Sequence, residues 1–409
     1  MLWTLFLLLK AKKGGKGLNS IFKYIENNNE VIITGLQEGV SDTSIVIPET
    51  IDGMPVTEIY GYAFCESPIT DIKMGRNIRK IDNNAFCRCE KLSSVIWNCK
   101  CNTIPAYGFY ECPNLKQFDF SDIEKVGEYA FYKSGLQEVC LPENIECISA
   151  WTFGECSELH SVTWHCQCDV IPTACFYECA NLKVFDFSTI KRVGQYAFCR
   201  SGLQEVCLPK NIEILEGGIF SRCNGLRSVT WNCTCDVIPA DCFAFCSNLT
   251  NFDFSSIKRV EKNAFCRSGL QEAFLPKNIE CISEEAFSGC SELHSVTWHC
   301  TCDVIPASCF AFCLNLTRFD LSGIKKIGQY SFWGSGLISV TISKGITVNK
   351  RCFAHCKSLA KVEWLSVRNI EGNIFEGCKN IKEICISDKV KNIEASAFAS
   401  SPNAEITFI

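Results

Sequence analysis

Phenylalanine recurs along this chain at an almost fixed interval. Phe64, Phe86, Phe109, Phe131, Phe153, Phe176, Phe198, Phe220, Phe243, Phe265, Phe287, Phe310, Phe332, Phe353, Phe375 and Phe398 stand 22 or 23 residues apart, with a single step of 21. A period in this range belongs to arrays in which one small unit is stacked many times. The spacing therefore predicts about sixteen coils of a solenoid rather than a globule built around one core. Length alone, 409 residues, suggests two or three compact domains, but an array escapes that rule because each unit touches only its neighbours.

Each unit reads alike. After the Phe comes L-x-x-V-x-L, as in Leu136 to Leu141, or Leu159-His-Ser-Val162-Thr-Trp164. Branched and aromatic residues at alternating positions suit a short strand, and Pro142, Pro209 and Pro276 stop it. One such unit buries too little apolar surface to offset the ordering of its own backbone. Only stacked neighbours close the balance. Strands of successive coils would lie about 4.8 Å apart and form one long parallel sheet. A second period overlies the first: residues 137–203, 204–270 and 271–337 are three blocks of 67 residues, each of three coils. Tandem duplication of a three-coil unit explains them.

These residues resemble the BspA-like, treponemal-type leucine-rich repeat. The family pattern is carried by Cys156-Ser-Glu-Leu159-His-Ser-Val162 and by Leu208-Pro-Lys-Asn-Ile212 leading to Ile219-Phe220-Ser-Arg-Cys223. Residues 30–59 resemble the segment that opens such arrays, and the likeness covers residues 20–401. The resemblance implies a leucine-rich-repeat solenoid of the α/β type wound as a right-handed superhelix. Its parallel sheet would line the concave face, and its convex side would be irregular or short-helical. It also implies a surface-exposed or secreted protein that binds host or matrix proteins or other cells. The expected organisation is an apolar and basic start at 1–17, a capping segment at 18–57 and repeats over 58–409.

Composition narrows the function. At 47% hydrophobic and 21% charged the bulk is not disordered. A net charge of −5 implies no basic face, so nucleic acid is not expected as a partner. The apolar run Met1 to Leu9 is too short to span a bilayer. It has the core of a secretory signal but carries its lysines after that core, so a signal, a membrane-associated start and a frayed start remain open. No transmembrane span is expected elsewhere. The last residues, Ile406 to Ile409, read as a strand with an open edge, which invites self-association.

The 31 cysteines are periodic too. The commonest site lies three residues after the Phe, as at Cys89, Cys112 and Cys156, and other coils carry Ser there, as at Ser134 and Ser201. A small side chain tucked under a turn fits both types, so buried free thiols are expected. Cross-coil disulfides such as Cys89 with Cys112 are the alternative. W-x-C-x-C recurs at Trp97, Trp164, Trp231 and Trp298, and near His160 and His165 it resembles a zinc cluster. The C-x-C spacing opposes zinc, and Cys168 falls eight residues before Phe176, where other coils place Ile123, Ile145, Ile190 and Ile212. Cys168 is therefore expected in a core slot, and no metal or other cofactor is expected.

On the strand, positions 1, 4 and 6 should point inward and positions 2, 3 and 5 outward. The outward candidates for binding are Lys116, His160, Lys183, Arg227 and His294 at position 2, with Asp119, Thr163, Asp186, Asp253, Thr297 and Asp320 at position 5. The aspartates recur every third coil, hence about 14 Å apart. Paired-carboxylate hydrolysis needs about 5–10 Å, so solvated surface carboxylates are expected. No nucleophile elbow, phosphate loop or H-E-x-x-H occurs, and an active site inside a duplicated block would itself be duplicated. The chain reads as a protein-binding surface rather than an enzyme. Adhesion at the cell surface is the first expectation, and an intracellular, cytoplasmic scaffold is the second.

Overall fold

The computed structural model describes residues 21–366 and 368–409, so the predicted apolar start at 1–17 lies outside the described residues. The chain divides into two compact units, Met1–Gly202 and Leu203–Ile409, each a stack of Phe-centred coils. The repeating Phe is the axis of each stack. In the first unit Phe64, Phe86, Phe109 and Phe131 stack face to face at centroid distances of 5.3, 5.4 and 5.4 Å. In the second, Phe265, Phe287, Phe310 and Phe332 do so at 5.7, 5.6 and 5.6 Å. Every one of these rings is fully buried.

A hairpin precedes the first coil. Phe22–Asn27 pairs antiparallel with Glu30–Leu36 across Asn28 and Asn29, both at positive φ as a tight hairpin turn requires. Glu30–Leu36 pairs in parallel with Met54–Ile59, and Met54–Ile59 pairs with Lys80–Ile81 of the coils. Phe22 meets Phe64 edge-on at 6.4 Å, so the hairpin covers the first ring of the stack.

Each coil makes three passes. The first is the L-x-x-V-x-L strand. Glu138–Leu141 pairs in parallel with Ser161–Trp164, Glu205–Leu208 with Ser228–Trp231, and Glu272–Leu275 with Ser295–Trp298. The second is a two-residue strand, as in the run Thr103–Ile104, Lys125–Val126, Cys147–Ile148. The third is a ribbon of overlapping turns around the Phe.

Two expectations are corrected. The return side carries no helix among the described residues. The residues two before and two after each Phe from Phe64 to Phe375 sit at positive φ, as at Tyr107 and Glu111, Tyr129 and Lys133, and Asn263 and Arg267. A left-handed residue twice in five breaks any α-helical run. The ribbon bonds instead from coil to coil. Tyr107, Phe109 and Glu111 donate their N–H groups to the carbonyls of Glu128, Ala130 and Tyr132, and Asp241, Phe243 and Phe245 donate to Lys262, Ala264 and Cys266.

The expected single long sheet is also broken. Within each three-coil block two coils pair as strands, while the third, at 182–187, 249–254 or 316–321, lies outside any strand, as residues 115–120 do ahead of the blocks. There Asp119 accepts hydrogen bonds from the N–H and the hydroxyl of Ser121 at 3.0 and 2.6 Å, which turns the chain locally. Asp186 with Ser188 and Asp320 with Ser322 repeat this turn. The coil that follows is drawn in tightly. A Cβ on Gly135 would land on the Pro113 carbonyl, and Gly269 stands in the same relation to Ser247.

Candidate functional site

The alternation of the strand decides what it presents. In Leu136–Leu141 the side chains of Leu136, Val139 and Leu141 are buried, Glu138 and Cys140 are exposed, and Gln137 lies between. The pleat that buries one set must expose the other. Of the outward candidates, Lys116, Asp119, His160, Lys183, Asp186, Arg227, Asp253, His294 and Asp320 are exposed, and Thr163 and Thr297 are half-buried.

The structure gives these residues different surroundings. Thr163 stands beside Cys140 on the neighbouring strand, and Thr297 stands beside Phe274. The aspartates are not free carboxylates, because each of the four closes a turn onto the serine two residues on. The Ser121 hydroxyl and N–H hold Asp119 below the usual carboxylate range, and the N–H and hydroxyl of Ser322 do the same for Asp320. Lys183 folds back to donate to the carbonyl of Ala180 at 3.3 Å. Among the described residues no hydrogen bond or ion pair joins one of the eleven candidates to another. Asp320 lines a shallow depression of about 280 Å³ with Arg318, Ser339 and Thr341.

The face also carries apolar members that are not among the expected binding residues. Phe274 is 58% exposed at position 5, Ile96 is 52% exposed at the same position, and Val184 and Ile338 are exposed at positions 3 and 2. Their signal was available: a large apolar residue at an outward position of L-x-x-V-x-L breaks the alternation. Phe274 also meets His299 edge-on at 5.6 Å.

The thiols are now placed. Cys89, Cys112, Cys156 and Cys179 donate to the carbonyls of Phe64, Phe86, Phe131 and Phe153 of preceding coils at 3.0 to 3.2 Å. The Phe64, Phe131 and Phe153 carbonyls also accept the N–H of the residue three on, so the thiol is a second partner. Where Ser fills the slot, as at Ser134 and Ser268, its hydroxyl meets the thiol of the next coil at 3.3 and 3.4 Å. Burial pushes Cys156 and Cys290 up to about 12. One cross-coil disulfide is present, Cys65–Cys87 with Cα atoms 4.7 Å apart, and Cys89 and Cys112 are free. Cys168 departs from its expected core slot and is half-buried, whereas Cys166 is buried. The extra residue of a 23-residue coil shifts the register, and the Cys168 carbonyl accepts the Trp164 indole N–H at 2.8 Å. Among the described residues no group of three or more His, Cys, Asp and Glu is placed to hold a metal ion.

The turn face carries its own pattern. Glu66, Arg88, Glu111, Lys133 and Glu155 occupy the position after each Phe by two, with alternating charge, and bridge in sequence at 3.2, 3.1, 3.9 and 3.5 Å. Beside them Tyr107, Tyr129 and Trp151 stack at 4.9 and 5.6 Å. In the second unit the same register holds Arg222 and Arg267 over the ring of Phe245, at 4.1 and 5.4 Å.

Comparisons with known proteins follow the same lines. The profile described as BspA type leucine-rich repeat region (6 copies) matches residues 57–183, 169–294, 236–360 and 282–405. A leucine-rich repeat protein from Bacteroides ovatus ATCC 8483 superposes with a TM-score of 0.60 at 19% identity, over 96% of this chain and 100% of that one. A leucine rich cell surface protein from Faecalibacterium prausnitzii A2-165 gives 0.47 at 19% identity, over 95% and 93%. No curated protein sequence matches this one. Among the described residues no helix is long and apolar enough to cross a membrane.

Proposed function

The chain belongs to the BspA-type leucine-rich repeat family, and from that premise we propose a surface-exposed or secreted protein that adheres to host or matrix proteins, or to other cells, through its strand-bearing face. An array of this family is a protein-interaction architecture: a long, repeated surface in which each coil offers one row of side chains. In this reading residues 18–57 cap the array and residues 58–409 carry it.

The observation that carries the proposal is the composition of that face. In the first unit the exposed apolar Ile96 and Val184 share the outward positions with Lys116, His160 and Lys183, and in the second Phe274 and Ile338 share them with Arg227 and His294. Large apolar anchors set in a polar surround are the pattern of a protein-binding hot spot. Repetition along the array adds avidity for an extended or repetitive partner.

The test is binding of the full chain to immobilised matrix proteins by surface plasmon resonance. Phe274→Ala is expected to weaken binding roughly tenfold, and the pair Lys183→Ala with Asp186→Ala to weaken it further, with far-UV circular dichroism unchanged. Binding that ignores all three substitutions removes the strand face from the proposal. Self-association would run through Glu405–Phe408, whose four side chains are all exposed, and a monomer in sedimentation at high concentration sinks that part.

One observation favours a second reading, an intracellular scaffold. Of the 31 cysteines, 29 stand outside the single disulfide, many of them buried, as a reducing compartment would keep them. Alkylation of the natural protein in denaturant without reductant separates the two. Few reactive thiols support the surface protein, and nearly all reactive supports the scaffold.

A further inference from the structure

Tandem duplication gives this molecule an internal control. Equivalent coils show which side chains a register tolerates, so a residue unlike its equivalents is not one the coil itself requires. Three breaks converge on one cavity of the second unit. Trp333 follows Phe332 where Cys199 follows Phe198 and Cys266 follows Phe265. Arg351 stands two before Phe353, where the equivalent coils place Trp151, Gly218 and Glu285. Glu376 follows Phe375, where they place Tyr177, Ala244 and Ala311.

The cavity has a volume of about 350 Å³ and is lined by Ser308, Tyr330, Trp333, Arg351, His355 and Glu376. It lies on the turn face. Tyr330, Arg351 and His355 are held at φ of 59, 57 and 60°, so the backbone is kept in a conformation that costs energy for such side chains. Trp333 is surrounded by rings: Phe312 at 4.8 Å, Tyr330 at 5.8 Å and His355 at 5.8 Å. Arg351 donates from Nε to the Glu376 carboxylate at 2.8 Å and reaches the Tyr330 hydroxyl at 3.5 Å.

The chemistry selects a class of ligand. One guanidinium and one carboxylate side by side cancel in formal charge, so a cation is opposed by Arg351 and an anion by Glu376. A hydroxyl accepts and donates at once, so adjacent hydroxyls can accept from the outer guanidinium nitrogens and donate to the carboxylate oxygens. The indole and phenol rings offer apolar surface for a C–H face. A cavity of this size falls in the range of small-ligand sites. We propose that Trp333, Arg351 and Glu376 form a binding site for a neutral saccharide, one or two pyranose rings of a larger glycan. The site lies on the turn face and does not depend on the strand-face reading.

The test is saturation-transfer NMR on the full chain with methyl α-mannopyranoside, methyl β-galactopyranoside, N-acetylglucosamine and cellobiose. N-acetylneuraminate and spermidine serve as the charged probes. At least one neutral saccharide is expected to bind. Trp333→Cys, which restores the residue of the sister coils, is expected to weaken it at least tenfold with the melting temperature unchanged. Glu376→Ala, again the sister residue, should weaken it as well and reads the site by itself if the first variant is unstable. The proposal is overturned if no neutral saccharide binds, if binding survives both substitutions, or if a charged probe binds more tightly than every neutral one.

Discussion

Gly269 shows how little freedom a single position has in this array. Its missing Cβ is the space into which the Ser247 carbonyl fits, and its φ is ordinary, so the need is for closeness rather than for an unusual turn. The obstacle is backbone, which cannot rotate away. Gly269→Ala is therefore expected to cost at least about 2 kcal/mol, read as a lower denaturant midpoint. The thiols give a second expectation at this scale. Cys140, Cys147, Cys207 and Cys281 are exposed, whereas Cys156, Cys179, Cys290 and Cys313 are buried. Brief alkylation of the native protein should modify the first four and spare the second, as intact mass and peptide mapping would show. The buried set also fixes the response to pH. Burial holds Cys156 and Cys290 neutral up to about 12, while an unfolded thiol ionises near about 8.5. The unfolded state therefore releases protons first, and stability is full below that value and falls as pH rises towards 12. Denaturant midpoints at neutral pH and at successive steps above pH 9 check the sign; a midpoint that rises there contradicts it.

At the scale of the element, the turn ribbon depends on backbone handedness more than on side-chain type. Glu285 sits at φ 59°, and the matching residue one block earlier is Gly218 at φ 67°. Glu285→Gly should leave stability unchanged or raise it, and Glu285→Val should lower it by roughly 1–2 kcal/mol, since a branched residue resists the left-handed region most. Thermal melts of the pair decide this, and a Val variant as stable as the Gly variant contradicts it. The same element explains what could be read from the sequence. The Phe ladder and the L-x-x-V-x-L strand were legible because each repeats one residue type at one register. The ribbon was not, because its left-handed positions are filled by Tyr107, Glu111, Trp151 and Arg267 as often as by Gly or Asn. Only alignment of all the coils, with Gly218, Asn263, Gly289 and Asn373 in one view, exposes the requirement. The strand break at Asp119 was half legible. The recurring Asp stands out in the sequence, but it is the serine two residues on that makes it a turn residue. On the strand-bearing face the register places the charged candidates and Phe274 alike at outward positions, but the register alone does not say that Phe274 stands as exposed as its charged neighbours.

At the scale of the whole chain, duplication and stacking are the same fact. Residues 271–337 are one block, and the junction formed by deleting them joins Leu270 to Ile338, as Leu337 joins it now. Deletion of this block should leave a folded array with a single cooperative transition and a smaller denaturant slope, because slope follows the surface buried. Deletion of 11 residues, half a coil, should not fold. Circular dichroism and urea titration of both constructions test this, and a disordered product from the whole-block deletion would count against the array as a sum of neighbouring coils.

The backbone bonds made by the Phe and by the residues two to either side of it run from the N–H groups of one coil to the carbonyls of the next, as at Tyr107, Phe109 and Glu111. During synthesis, then, the newest coil always displays a row of amide donors whose partners have not yet been made. At about 5–20 residues per second, roughly 1–4 s pass before the following coil emerges to accept them. The growing chain thus carries a transient sticky edge that moves with it, sealed and renewed once per coil until the last one leaves the ribosome.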